Sequence, residues 1–182
     1  MTQDFSAFKK KLTEYSSIPE DCWLEFASHL KVEEYKKGEH LVRAGDRPRT
    51  LYFIEKGFVR SYFVDPDGKE FIKAFFKDGE VAGPYTEMLL NEATQVSIEA
   101  LEDLRVFSFD FFVLQKLYTK NIWFSEIGRK ICEQYIIVKE QRIFEFLHFD
   151  AAERYKRFIA DNPELIKRLP QYQIAAYLGI SP

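Results

Sequence analysis

Between Val32 and Phe109 the chain is interrupted by turn residues at intervals of roughly 8–12 positions, and this punctuation constrains its fold more than any other feature. The turns read Lys36-Lys37-Gly38-Glu39, Ala44-Gly45-Asp46, Glu55-Lys56-Gly57, Asp65-Pro66-Asp67-Gly68, Lys77-Asp78-Gly79 and Ala82-Gly83-Pro84. Between them lie short runs rich in Phe, Tyr, Val and Ile, often alternating: Thr50–Ile54, Phe58–Val64, Glu70–Phe76, Gln95–Ala100 and Leu104–Phe109. Branched and aromatic side chains fit a half-buried pleated surface, so the segment predicts an antiparallel sandwich or jelly roll. Asp67-Gly68 marks a hairpin between the second and third of these runs.

The flanks follow a different period. Phe5, Phe8, Leu12 and Tyr15 fall three and four residues apart, and Pro19 opens a second turn carrying Trp23, Phe26, Ala27 and Leu30, so the start is helical. From Asn121 to about Phe149 there is no Pro, and Gly128 is the only Gly. A helix of this length would run about 43 Å. Its apolar stripe is Phe124, Ile127, Ile131, Tyr135 (or Gln134), Val138 and Phe146, interrupted by Arg142. Such a helix either packs along one face of its own barrel or pairs with its twin as a dimer seam, in which Arg142 could set register. Asp150 reads as the N-cap of a helix from Ala151 to about Ala160, with Glu153 three residues on, and Asn162-Pro163 ends it. The overall expectation is α+β, divided into a sensor at 1–120, a dimerisation helix at 121–149 and a further module at 150–182.

Composition excludes several classes. The 182 residues are 46% hydrophobic and 30% charged, which suits an ordinary globular chain with room for one full domain and a small second one. No apolar run approaches the roughly 20 residues that cross a bilayer, and the opening residues lack the apolar core of a secretory signal. Cys22 and Cys132 form neither a disulfide framework nor a metal motif, so a reduced cytoplasmic setting without membrane contact is the expectation. The net charge of −3 argues against non-specific nucleic-acid binding by the chain as a whole. Residues 1–120 carry a net −4 and residues 150–182 a net +1, which leaves room for a nucleic-acid module only at the C-terminal end.

That end carries the clearest motif. Gln171 to Leu178 reads as a helix closed by Gly179, with Ala175 small enough for a close helix crossing and Ile174, Leu178 and Ile180 as buried contacts. Ser181-Pro182 then reads as an N-cap and first helical position, so a base-reading helix is expected beyond Pro182. Gln171, Ala175, Gly179 and Ser181 mark this half of a helix-turn-helix. The generic alternative is a helix capped by glycine.

Taken with the turn ladder, the segments Leu51-Tyr-Phe-Ile-Glu-Lys-Gly57, Asp65-Pro-Asp-Gly68-Lys-Glu70 and Phe76-Lys-Asp-Gly79-Glu80 resemble the cyclic nucleotide-binding domain. With the long helix and the terminal helix-turn, the chain resembles the CRP/FNR family of bacterial transcription regulators over about residues 15–182. The resemblance implies a homodimer joined by the long helix through Phe124, Ile127, Ile131, Tyr135, Val138 and Arg142. It also implies a hinge near Asp150, a C-terminal winged helix-turn-helix that binds operator DNA, RNA polymerase as a candidate partner, and a small-molecule effector. The effector pocket falls on Gly83, Pro84, Tyr85, Thr86, Glu87, Thr94, Gln95 and Val96, with Tyr135 and Lys139 from the long helix.

The pocket departs from cAMP-binding members of the family. Their glycine is followed by a Glu for the ribose, and an Arg about ten residues later neutralises the cyclic phosphate. Here Pro84 and Thr94 stand in those places, and a buried phosphate without a fixed cation is costly. cAMP is therefore not expected to bind, unless Lys139 supplies the cation. An iron–sulfur sensor would need about four clustered cysteines. His29, His40 and His148 read as surface or packing histidines rather than haem ligands, and Cys132 as an inert thiol in preference to a redox switch. No cofactor or metal is implied. An enzyme of the metal-binding jelly-roll type would need a His-x-His pair, which does not occur. The remaining alternative is a ligand-sensing module acting through protein partners.

Overall fold

A computed structural model describes residues 4–180. Two four-stranded antiparallel sheets face each other. One has the order β1 (Lys31–Tyr35), β8 (Leu104–Asp110), β3 (Thr50–Lys56), β6 (Val81–Ala82). The other runs β2 (His40–Val42), β7 (Ser97–Ala100), β4 (Phe58–Val64), β5 (Glu70–Lys77). The expected jelly roll is thus present, with β4 on the predicted residues, β3, β5 and β8 one or two residues longer, and β7 two residues shorter at its start. Gly38, Gly45, Gly57, Gly68 and Gly79 all take positive φ at the turns.

Strand alternation divides the apolar side chains between three cores. Leu41, Val42, Tyr52, Ile54, Val59, Ile98, Ala100, Leu104 and Val106 fill the space between the sheets. On the outer face of the first sheet, Leu51, Phe53, Phe107 and Phe109 meet α1 (Ser6–Thr13), α2 (Glu20–Ala27), α4 (Phe111–Lys120) and the first turns of α5 (Ile122–His148). On the outer face of the second, Phe58 and Phe75 meet α6 (Ala151–Asp161), α7 (Pro163–Arg168) and α8 (Gln171–Leu178). The remaining helix, α3 (Tyr85–Leu90), follows β6.

Three features differ from the sequence reading. The long helix occupies the expected residues, as α5, but a separate ten-residue helix, α4, precedes it. The Asp110 carboxylate accepts from the N–H groups of Phe112 and Val113 to start α4, and the Asn121 side chain accepts from Trp123 at 3.0 Å to start α5. Pro163 does not merely end α6. It sits at the first position of α7, where its missing N–H costs nothing. And Pro84 leads into a short helix, α3, where only a turn was expected.

Gly128 has a packing reason for its place inside α5. A Cβ there would lie 2.6 Å from the Tyr118 ring, so the absence of a side chain lets α4 and α5 approach.

Candidate effector pocket and C-terminal helices

The expected pocket residues split into two groups. Pro84 is buried at the start of α3, with Gly83 before it, while Thr86 and Gln95 are exposed. Thr94 is 1% exposed and is occupied by its own turn. Its hydroxyl accepts from the Val96 N–H at 3.0 Å, its N–H donates to the Asp46 carbonyl and its carbonyl accepts from Gly45. Val96 is buried beside it. Thr94 therefore acts as a brace of its own turn.

The other group lies between α3 and α5. Tyr85 packs edge-on to Phe111 at 5.3 Å, and burial, followed by the neighbouring Cys132 thiol, pushes its phenol pKa up. Cys132 thus sits partly buried among Tyr85 and Tyr118. Oε2 of Glu87 is buried with no hydrogen-bond partner among the described residues. Burial raises the Tyr135 pKa, the charge of Glu87 raises it further, and Arg142 opposes both. One turn on, the Lys139 ammonium stands 5.0 Å over the Tyr135 ring. Burial first, then the charges of Arg142 and Lys73, bring the Lys139 pKa down to about 8. Among the described residues none of Lys73, Lys139 and Arg142 has a carboxylate within ion-pair distance. Tyr135 therefore stands next to both Glu87 and Lys139, whereas Thr94 and Val96 form a separate braced turn and Gln95 faces solvent.

Helix α5 does not present the predicted stripe to one partner. Phe124 and Ile127 are 2% and 3% exposed, enclosed by their own sensor, and Ile131 packs against the same core. This part of the expected seam is used within the chain, because α2 and α4 already cover it. Arg142 does not interrupt a seam either: it turns inward to β5 and α8. Beyond the exposed Ile122 and Trp123 of its first turn, the apolar groups of α5 that remain exposed are Tyr135, Ile136, Ile137, Val138, Ile143, Phe144, Phe146 and Leu147. The pairs Ile136/Ile137 and Ile143/Phe144 repeat at seven residues, a signal the sequence carried and the chosen stripe passed over.

The chain leaves α5 at extended Phe149 and enters α6 at Asp150, whose carboxylate accepts from the Glu153 N–H at 2.9 Å. The Arg154 guanidinium braces this corner by donating to the Phe149 carbonyl at 2.7 Å, and Arg157 lies 3.8 Å over the Phe149 ring. In α8, Ile174, Ala175 and Leu178 are buried and Gln171 is exposed. Gly179 takes φ 64°, as the helix-turn reading requires, and the Ile180 N–H returns to the Ala175 carbonyl. Ser181, the last residue of the predicted motif, lies outside the described residues. His40 bonds the Tyr62 hydroxyl at 3.0 Å, and His148 stacks on Phe144.

Residues 32–121 match the cyclic nucleotide-binding domain family. Over 124 residues the chain is 32% identical to the fumarate and nitrate reduction regulatory protein of Vibrio cholerae, covering 68% of this chain and 49% of that one. The chain carries a stretch that matches a cyclic nucleotide-binding domain and is similar to CRP/FNR-type regulators. The cAMP-activated global transcriptional regulator CRP of Pasteurella multocida is 36% identical over a shorter stretch, 58 residues, or 32% of this chain and 28% of that protein. The fold is also that of FixK2 from Bradyrhizobium japonicum, with a TM-score of 0.71 at 20% identity over 84% of this chain and 78% of that one. The chain spans about half the length, or less, of these curated relatives. No helix among the described residues is long and apolar enough to cross a membrane.

Proposed function

We propose that the chain is the sensor, dimerisation helix and opening of the DNA-binding module of a CRP/FNR-type transcription regulator that works as a homodimer. The observation that carries this reading is the apolar surface left on α5 after its first turns are used by the sensor. Ile136, Ile137, Ile143 and Phe144 are 53–61% exposed and Leu147 83% exposed. A second copy of the same helix, laid along Ile136/Ile137, Ile143/Phe144 and Leu147, would cover them. Residues 150–180 supply the first half of a helix-turn-helix, with the corner at Asp150 as the hinge, and operator reading belongs to the whole protein.

The effector is a small molecule other than cAMP. Pro84 cannot offer the ribose a carboxylate, and the Thr94 hydroxyl is already used by its own turn. Two measurements test the reading. Genomic fragments selected by the whole protein should share an inverted repeat, the mark of a two-fold protein on DNA; absence of enrichment overturns the regulator assignment. Millimolar cAMP or cGMP should leave the thermal midpoint of this chain unchanged, and a rise of several degrees overturns the effector reading.

A further inference from the structure

Arg142 joins three elements that are distant in sequence. Its guanidinium donates to the carbonyls of Lys73 and Ile72 on β5, the latter at 3.1 Å, and to the carbonyl of Tyr177 on α8 at 2.9 Å. Its Cζ also lies 3.9 Å from the Tyr177 ring centroid.

Each acceptor is one that its own element leaves unpaired. β5 is the edge strand of its sheet, and its pairing with β4 slips so that Ser61 faces Ala74 and Tyr62 faces Ile72, which makes Lys73 the extra residue of a bulge. A bulge frees backbone groups from the ladder. Tyr177 is the penultimate residue of α8, and the last four carbonyls of a helix have no intrahelical partner. A cation at that end also opposes the negative pole of the helix. Arg142 thus satisfies a sheet edge and a helix C-terminus with one planar group.

The rest of the joint is a mixed and incompletely packed contact, aromatic at its centre with Lys77, Glu80 and Asn162 at its wall. The Tyr177 ring lies 5.3 Å from Phe75 and 5.4 Å from Phe158, around a cavity of about 120 Å³ walled also by Phe58 and Leu165. At the far side Arg168 pairs with Glu102 at 2.8 Å, a partly exposed contact worth little by itself. Among the described residues no carboxylate comes within ion-pair distance of Arg142, so its hydrogen-bond partners are the carbonyls of β5 and α8.

We propose that Arg142 is the positioning residue that latches the C-terminal helices onto the sensor, and that α8 stays docked on β5 only while this guanidinium bridges Ile72, Lys73 and Tyr177. Arg142 lies on the same face of α5 as Tyr135 and Lys139, so the row that borders the effector pocket ends at the latch. The proposal goes beyond the regulator reading, since it holds whether or not the C-terminal helices reach DNA.

Hydrogen exchange on the 182-residue chain tests it. In Arg142→Met, amides of residues 163–178 should exchange about tenfold faster or more, while β3 and β8 keep their protection. Arg142→Lys keeps the charge but not the fork, and should give a smaller rise over the same residues. Unchanged exchange over 163–178 in both variants overturns the proposal. Equal acceleration in α8 and in β3 and β8 also overturns it, because Arg142 would then only support the fold as a whole. If the methionine variant does not fold, the lysine variant decides: wild-type protection of α8 rejects the latch, and loosening confined to the C-terminal helices upholds it.

Discussion

The ring of Phe124 meets that of Phe26 edge to face at 5.3 Å, which anchors the first turns of α5 to the sensor of the same chain. A long helix that begins inside one core and ends in solvent has two jobs. Its residues should respond differently to substitution according to which part they occupy.

Phe124→Ala should destabilise the sensor by about 3–5 kcal/mol, because it removes a fully buried ring from an aromatic cluster that cannot collapse around the gap. Denaturant unfolding of the purified chain measures this directly. A loss below about 1 kcal/mol would show that the Phe26 contact contributes little.

Ile143→Glu combined with Phe144→Glu should leave the sensor as stable as before and weaken self-association at least about 100-fold. Sedimentation velocity across a concentration series reads the change. A wild-type chain that is already monomeric, or a double variant that still dimerises fully, rejects the seam on this face.

Lys139 carries a pH signature. Its folded pKa of about 8 is below the ordinary lysine value of 10.5, so between those limits the unfolded chain binds more protons than the folded one. Stability contributed by this group therefore rises as pH goes from about 8 to 10.5, and the cost is fully present below 8. Lys139→Met should stabilise the chain at pH 7 by on the order of 2 kcal/mol and flatten that rise. Chemical denaturation at pH 7, 8.5 and 10 supplies the test, and a methionine variant that is less stable at pH 7 contradicts it.

Thr94→Val keeps the shape of the side chain and removes the acceptor for the Val96 N–H in a buried turn. The cost should be about 1–2 kcal/mol. An unchanged thermal midpoint would mean that the turn holds without the hydroxyl.

Much of the fold was legible along the chain. The turns were marked by residues whose backbone freedom the corners need, and β4 occupies the predicted residues. The caps were legible for the same reason: the bonds that close the helix ends at Asp150 and Gly179 span only three to five positions. Helices α3 and α7 were missed because each is six residues long, too short to show a period, and each begins beside a proline that also reads as a breaker.

The candidate site was only partly legible. Tyr135 was picked out together with Glu87 and Lys139, and it neighbours both; Pro84 instead leads into α3, and Thr94 is hydrogen-bonded within its own turn. Arg142 was noticed but given to the wrong side of its helix. Periodicity locates a stripe on α5 but does not say what lies opposite each part of it.

By itself, then, the sequence determined what depends on neighbours a few residues apart: the corners of the sheets, the alternation that sorts side chains to their two faces, and the ends of α5, α6 and α8. Tertiary structure decided which part of α5 the sensor encloses and where Arg142 points. The physical reason is separation along the chain. The carbonyls that hold Arg142 lie 69, 70 and 35 residues away, and they accept hydrogen bonds from it because a strand edge and a helix end leave them free at the same point in space.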